Sequence, residues 1–111
     1  MNAVRRYRTE AGQEVITEWL ASLKDIRARA RIVARIDRLK AGNLGDSRSL
    51  RDGVAELRRD YGPGYRVYYG SVGSQIVLLL CGGDKRTQAA DIERAIVCLA
   101  DFKRRVKAWA K

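Results

Sequence analysis

The chain has 111 residues, which is enough for one domain and too few for two ordinary ones. Hydrophobic residues make up 46% of it and charged residues 32%, so a packed core is expected and a disordered chain is excluded. The sequence contains no histidine, so an enzyme built from it would act near neutral pH without the usual proton-transferring side chain. We predict a single domain over residues 1–111.

The net charge of +10 is spread evenly over both halves of the chain, without a separate basic tail. A net charge of about 2–8 is enough to keep a small domain soluble. The excess therefore favours an anionic partner over a purely solubilising role. Charge alone leaves RNA, DNA and an acidic protein open as that partner.

The two cysteines do not have the spacing of a metal site. Cys81 ends an apolar strand and Cys98 lies in an apolar helical stripe, so we predict that both are reduced core residues. We expect neither a metal ion nor another cofactor. The N-terminus has no apolar signal-peptide segment, and no apolar run is long enough to cross a membrane. These features predict a cytoplasmic protein with no membrane partner.

The N-terminal half is typical of one short strand followed by two amphipathic helices. The strand is predicted over residues 4–8, and Thr9 is the predicted cap of a helix that ends near Ser22. Asp25 is the predicted cap of the second helix, with Gly42 just past its end. The polar face of this second helix carries four arginines: Arg27, Arg31, Arg35 and Arg38.

The next part of the chain is typical of a three-stranded meander that follows a polar loop. The loop is predicted at residues 43–51 and the strands at residues 54–59, 65–71 and 75–81. The strands are separated by a Gly-Pro-Gly turn that starts at Tyr61 and by a tight turn at Gly73-Ser74. The last strand is nearly all apolar, which suits a central strand buried on both faces.

Gly82-Gly83 is predicted to end this last strand. A final helix begins near Thr87 or Gln88 and continues to about Lys107. The resulting order is β-α-α-β-β-β-α, with two N-terminal helices, an antiparallel sheet and a C-terminal helix. We predict a small α+β domain.

Three stretches of the chain carry motifs of a known family. They are Glu56-Leu57-Arg58, the GPGYRVYY run that starts at Gly62, and the run from Leu79 to Asp91 around its GGDKRTQ core. With the order of elements, they resemble the RelE/ParE superfamily of type II toxin–antitoxin modules. Within it they are most similar to the HigB-like branch, the addiction module killer proteins. The resemblance extends over nearly the whole chain and implies a RelE-like domain.

The resemblance implies a toxin that enters the A site of the ribosome and cuts the mRNA under translation. It also implies a cognate antitoxin, often with a helix-turn-helix DNA-binding domain, that neutralises the toxin. The pair would bind operator DNA only through the antitoxin. Two alternatives remain open, a ParE-like poison of DNA gyrase and a non-catalytic nucleic-acid-binding homologue.

Several functional residues of the family match positions in this chain. Arg66 matches the arginine that follows a strand tyrosine, and Lys85 with Arg86 matches the basic pair after the last strand. Glu56 with Arg58 matches the Glu-x-Arg of the HigB-like branch.

The chain also departs from the family pattern. The two strand lysines of RelE are replaced by Val54 and Glu56, and Ile92 or its neighbours stand where RelE has a tyrosine. The histidines of some HigB toxins are absent.

RNA cleavage by its own 2′-hydroxyl needs a base, a group that stabilises the phosphate oxygens, and an acid for the leaving oxygen. Arg66 and Arg58 suit the phosphate, because a guanidinium binds two oxygens and stays charged. Lys85 would hold the phosphate or donate a proton to the leaving 5′-oxygen. Glu56 is either the base or an ion-pair partner that orients Arg58 or Arg66.

Three further residues, Arg86, Arg59 and Tyr68, are predicted to contact the substrate. Arg86 would bind backbone phosphate. Alternation along the strand puts Tyr68 on the face of Arg66, where its ring would either stack on a base or pack against the sheet. The arginines of the second helix are either a solvated face or a contact with ribosomal RNA.

Overall fold

A computed structural model describes residues 3–59, 62–73 and 76–109, so Tyr61, Ser74 and Gln75 lie outside the described residues. The strands are β1 (Ala3–Arg6), β2 (Ser47–Ser49), β3 (Val54–Arg59), β4 (Tyr65–Val72) and β5 (Ile76–Asp84). The helices are α1 (Val15–Ser22), α2 (Ile26–Lys40) and α3 (Gln88–Trp109), and one 3-10 turn spans Lys85–Thr87. None of the helices described is long and apolar enough to cross a membrane.

The strands form one mixed sheet in the order β1-β5-β4-β3-β2. Strands β2 to β5 are antiparallel neighbours, and β1 joins β5 in parallel at one edge. The predicted α+β class is confirmed, but the predicted number of strands was one too few. Strand β2 lies where a polar loop was predicted, because Ser-Arg-Ser has no apolar alternation and becomes a strand only by pairing with β3.

Helices cover both faces of the sheet and create two cores. Helices α1 and α2 pack on one face, and α3 packs on the other. The residues of β4 alternate between these cores as predicted. Tyr65, Val67 and Tyr69 face α1 and α2, whereas Tyr68 faces α3. Burial on both faces explains why β5 is apolar almost throughout.

The two cysteines lie in the core beneath α3, as predicted. Cys81 on β5 and Cys98 on α3 are both free and buried. Burial raises the pKa of the Cys81 thiol to about 12 and also raises the pKa of Cys98. Both thiols are therefore protonated at neutral pH.

The first helix begins later than predicted. Thr9 does not cap it, because the Thr9 hydroxyl accepts a hydrogen bond from the Gln13 N–H (3.1 Å) and closes a tight turn. Gly12 in that turn has φ of +88°, a conformation that favours glycine and interrupts the helical pattern. The helix therefore starts only at Val15. Strand β1 also ends earlier than predicted, at Arg6.

The second helix has the predicted ends. The Asp25 carboxylate accepts hydrogen bonds from the backbone N–H groups of Arg27 and Ala28, which satisfies two free donors of the first turn. Gly42, just past the last turn, has φ of +82° and so takes the left-handed conformation expected there.

Strand β5 continues through Gly82 and Gly83 to Asp84, so the prediction that these glycines end it was wrong. Neither glycine has a positive φ, so no turn requires them. A Cβ at Gly82 would overlap the ring of Trp19, and a Cβ at Gly83 would overlap the carboxylate of Asp91. The glycines are needed because α1 and the start of α3 approach the strand closely.

The substitution Gly82→Ala tests this close approach. The added methyl group would force Trp19 out of its place against the strand, and we expect a loss of about 3 kcal/mol in the free energy of unfolding. Urea unfolding followed by circular dichroism measures this loss. The double variant Gly82→Ala/Trp19→Leu should recover part of it, and an unchanged midpoint for Gly82→Ala would contradict the packing described.

Candidate functional site

The site lies at one end of the sheet, on the face covered by α3. Strand register pairs Glu56 with Tyr68 and Arg58 with Arg66 across β3 and β4. Tyr65 pairs with Asp84 at the end of β5, so the 3-10 turn that carries Lys85 follows at the same end. The fold therefore brings two distant parts of the sequence together, the β3–β4 hairpin and the turn before α3.

Glu56 and Arg66 form the buried centre of this site. The exposed fraction of Glu56 is 0%, and the side chain of Arg66 keeps only 7% of its surface exposed. Arg66 Nε lies 4.0 Å from Glu56 Oε2, and its Nη1 donates hydrogen bonds to the carbonyls of Gly64 (3.0 Å) and Tyr65 (3.2 Å). The guanidinium is thus held in one orientation, with little freedom left to lose on binding.

Arg58, the other predicted partner of Glu56, is paired elsewhere. Its Nε lies 3.6 Å from Asp46 Oδ1, and the Arg58 side chain is about one third exposed. It stands on the same face as Arg66 without joining the Glu56 ion pair. Because Arg58 pairs directly with Arg66 across β3 and β4, its charge adds to the positive potential of the site.

Two residues that sequence reasoning missed complete the surroundings of Glu56. Gln88, the first residue of α3, donates from Nε2 to Glu56 Oε2 (3.1 Å). Arg48 of β2 lies with its Nε 3.8 Å from Glu56 Oε1. Neither had a local signal, because Gln88 stands at a helix start and Arg48 in a predicted loop. Only the pairing of β2 with β3 and the docking of α3 bring them to the carboxylate.

Four buried polar atoms of the site have no hydrogen-bond partner in the described part of the chain. They are Glu56 Oε1, Arg58 Nε, Arg66 Nε and the Tyr68 hydroxyl. Such atoms are rare in folded proteins, and a group of them needs an explanation, such as a catalytic role or a bound water or ion. The structure thus concentrates unused hydrogen-bonding capacity beside Arg66.

Tyr68 has no exposed surface, so its ring cannot stack on a nucleic-acid base in this conformation. Burial raises the pKa of its hydroxyl above the ordinary value, and the Glu56 carboxylate raises it further. The phenol is therefore neutral at neutral pH. Of the two roles considered for this residue, the geometry supports packing.

Lys85 lies at the open side of this site. Its backbone N–H donates to the Pro63 carbonyl (3.3 Å), which joins the 3-10 turn to the β3–β4 turn. A Cβ at Gly64 would lie 3.4 Å from both Arg66 Nη1 and Lys85 Cβ, so these two cationic residues flank the same glycine. Lys85 is exposed, unlike Arg66.

Arg86, the other half of the basic pair, is held by a neighbouring carboxylate. Its Nη2 lies 3.0 Å from Asp84 Oδ2, and its side chain is 81% exposed. Hydrogen bonding to Arg86 lowers the pKa of Asp84, so this carboxyl is ionised at neutral pH and offsets part of the charge of Arg86. Arg86 is available at the surface but is partly neutralised.

Arg59 does not join this group. Alternation along β3 turns its side chain to the face of α2, where its charge acts on Arg35. Arg35 itself was predicted on the polar face of α2, but it is buried and donates to the carbonyls of Arg58 (3.1 Å), Leu44 (3.2 Å) and Asp46 (3.3 Å). It differs from its neighbours because the chain after α2 folds back over it.

A separate surface groove of about 470 Å³ lies at the opposite end of the sheet. It is bounded by the turn between β2 and β3, by the end of β4 and by the start of β5, and it contains the ion-paired Arg51 and Asp52. None of the predicted site residues lines it. Among the described residues, no group of three or more histidine, cysteine, aspartate or glutamate side chains could hold a metal ion.

Comparison with known proteins finds a relative, but that relative has no stated function. No family model matches the chain. An uncharacterized protein of Haemophilus influenzae is 56% identical over 77 residues, which cover 69% of this chain and 78% of the relative. The name of that protein states no function, so the chemistry of the site is the basis for assigning one.

Proposed function

The chain belongs to one protein family with the uncharacterized protein of Haemophilus influenzae, and we propose that it is a RelE-like toxin of the HigB branch, a ribosome-dependent mRNA endonuclease. The observation that carries the proposal is the fixed guanidinium of Arg66 beside the exposed Lys85. A buried carboxylate and two turn carbonyls hold Arg66 in one orientation. Such preorganisation is what a group that stabilises a phosphate needs.

The roles of the residues follow from their charge and from their positions around Arg66. Arg66 stabilises the charge that develops on the phosphate oxygens, with Arg58 as a further cation on the same face. Lys85, which is exposed, either holds the phosphate or donates a proton to the leaving 5′-oxygen. The start of α3 adds to the positive potential at this turn, because helix N-termini attract anions.

Glu56 orients Arg66 in this proposal and does not act as the base. Its carboxylate is fully buried and is already engaged by Gln88, so a ribose hydroxyl would have to displace existing contacts to reach it. Alignment of the mRNA in the ribosome then supplies much of the rate, because positioning alone lowers a barrier substantially. In this proposal the proton of the attacking 2′-hydroxyl passes to solvent water, since the sequence has no histidine and Glu56 does not accept it.

The partners belong to the same proposal. A cognate antitoxin, in many such modules a helix-turn-helix protein, would neutralise the toxin in the cytoplasm and bring the pair to operator DNA. The net charge of +10 supports association with the ribosome and its mRNA, since both are polyanions.

One observation favours a second candidate, a nucleic-acid-binding toxin without catalysis. Within the described part of the site, the carboxylate nearest Arg66 is buried, and the sequence has no histidine to replace it as a base. A ParE-like gyrase poison would also need no cleavage chemistry.

Primer extension across several cellular mRNAs, shortly after the protein is induced, separates these functions. We expect cuts confined to translated regions and in register with codons. The variant Lys85→Ala should reduce these cuts about 10²-fold, because one cation at the phosphate is lost. It should remain folded, since the Lys85 side chain is exposed.

The matched control is Lys24→Ala, which removes one exposed lysine away from the site. It should cut like the unmodified protein. Intact mRNA in growth-arrested cells with DNA breaks would show a gyrase poison. Intact mRNA in healthy cells would show a protein that only binds or is inactive.

A further inference from the structure

A second group of arginines lies at the same end of the sheet, on the face covered by α2. Arg59 is the last residue of β3, and Arg35 and Arg38 lie in the C-terminal half of α2. Burial lowers the pKa of Arg35, and the charges of Arg59 and Arg38 lower it further. Arg35 and Arg59 line one small pocket between α2 and the end of β3, and Arg38 lies three residues after Arg35 on the helix, so both charges act on Arg35.

Among the described residues, this group has little compensating negative charge. Asp46 is the carboxylate whose charge acts favourably on Arg35, and it is also paired with Arg58 at 3.6 Å. No ion pair within residues 3–59, 62–73 and 76–109 involves Arg38 or Arg59. The Nε of Arg59 is buried without a hydrogen-bond acceptor among these residues. A phosphate bound by the exposed Arg38 and the half-buried Arg59 would offset this repulsion.

This group continues the candidate site instead of standing apart from it. Arg59 pairs in register with Tyr65, and Tyr65 pairs with Asp84, the residue before Lys85. Strands β3 and β5 are separated only by β4, so their ends are about 10 Å apart. A short stretch of a flexible polyanion can therefore contact Lys85 on one face of the sheet and Arg59 on the other.

We propose that Arg38 and Arg59 bind the phosphodiester backbone of single-stranded RNA and extend the track from Lys85 around the end of the sheet to α2. The identity of the ligand as RNA rests on the proposed function. The contacts are to phosphate, so they add affinity without sequence preference. Arg35 supports the track by fixing the segment that follows α2, since it donates to the carbonyls of Leu44 and Asp46.

The test is fluorescence anisotropy with a labelled single-stranded RNA of about 12 nucleotides, a length within the usual range for one small binding domain. All of its 2′-hydroxyls are methylated, so it cannot be cut by 2′-hydroxyl attack and binding is measured apart from cleavage. Titrations between about 50 and 200 mM salt give the salt dependence of the affinity. We expect Arg38→Ala/Arg59→Ala to bind about 25-fold more weakly at 0.1 M salt and to lower the log–log slope by about 1.4, as the loss of two phosphate contacts requires.

The matched control, Arg5→Ala/Lys24→Ala, removes the same charge from exposed positions outside both groups and should keep most of the slope. The variant Arg38→Lys/Arg59→Lys should also keep the slope, because it keeps the charges. An equal loss in the control, or no binding by the unmodified protein, would overturn the proposal. Preferential binding of duplex DNA of the same length would overturn it in favour of DNA.

The two proposals can fail separately. A reduced slope in Arg38→Ala/Arg59→Ala together with intact cellular mRNA would leave an RNA-binding track on a protein that does not cut. In-frame mRNA cuts with an unchanged slope would support the endonuclease and contradict the RNA-binding track.

Discussion

Arg66→Lys is expected to abolish growth inhibition while the protein remains folded. Lysine keeps a positive charge beside the buried Glu56, but it lacks the planar fork that binds two phosphate oxygens. We expect mRNA cleavage to fall about 10²–10³-fold, as when one preorganised donor to a transition state is removed. Primer extension measures the cleavage, and urea unfolding should show a loss of only about 1–2 kcal/mol, from the changed hydrogen bonds to the turn carbonyls.

Lysine is a sharper substitution here than alanine. Arg66→Ala would remove the buried ion-pair partner of Glu56 and leave it with the more distant support of the exposed Arg48, so lost toxicity could reflect lost stability. Arg5→Lys, at an exposed position on β1, is the matched control and should remain fully toxic. Full toxicity of Arg66→Lys would show that a single point charge suffices, and full toxicity of Arg66→Ala would remove this residue from the site.

Glu56→Ala and Glu56→Gln are expected to give different results, because Glu56 orients Arg66. Alanine leaves Arg66 buried without its partner, and we expect a loss of about 3 kcal/mol in the free energy of unfolding together with lost toxicity. Glutamine keeps the size of the side chain and an oxygen that can accept from Gln88. We expect Glu56→Gln to be less destabilised and to keep cleavage within about tenfold of the unmodified protein, since no proton transfer is lost.

The comparison of the two variants decides between the roles considered for this carboxylate. If Glu56 is the base, cleavage by Glu56→Gln should fall at least about 10²-fold while its stability changes little. Gln88→Ala serves as the companion variant. It removes the hydrogen bond to Glu56 Oε2 without removing a charge. We therefore expect losses of stability and of cleavage that are smaller than those of Glu56→Ala.

The candidate site was predictable in part, and the reason differs from residue to residue. Glu56, Arg58 and Arg66 share a face because strand alternation and a short hairpin leave little freedom in their register. Arg59 follows Arg58 directly and so turns to the opposite face, away from Arg66. Tyr68 shares the face of Arg66, but α3 covers it, and nothing local in the sequence indicates that coverage.

The residues that sequence reasoning missed all depend on contacts between distant parts of the chain. Gln88 is 32 positions from Glu56 along the chain, and Arg48 reaches it only through the β2–β3 pairing. Arg35 has the spacing of a solvated helix face, yet it is buried because the segment after α2 folds over it. In each case the partner, and not the residue itself, decides the role.

The sequence by itself determined the elements whose signals are local. The cap at Asp25, the glycine after α2, the alternation along β4 and the α+β class follow from interactions between residues a few positions apart. Only the tertiary structure decided that β2 is a strand, that β5 runs on through Gly82, and that α3 covers one face of the sheet. These features depend on contacts between surfaces that are distant in the sequence. The free energy of those packing contacts cannot be read from any short stretch of the chain.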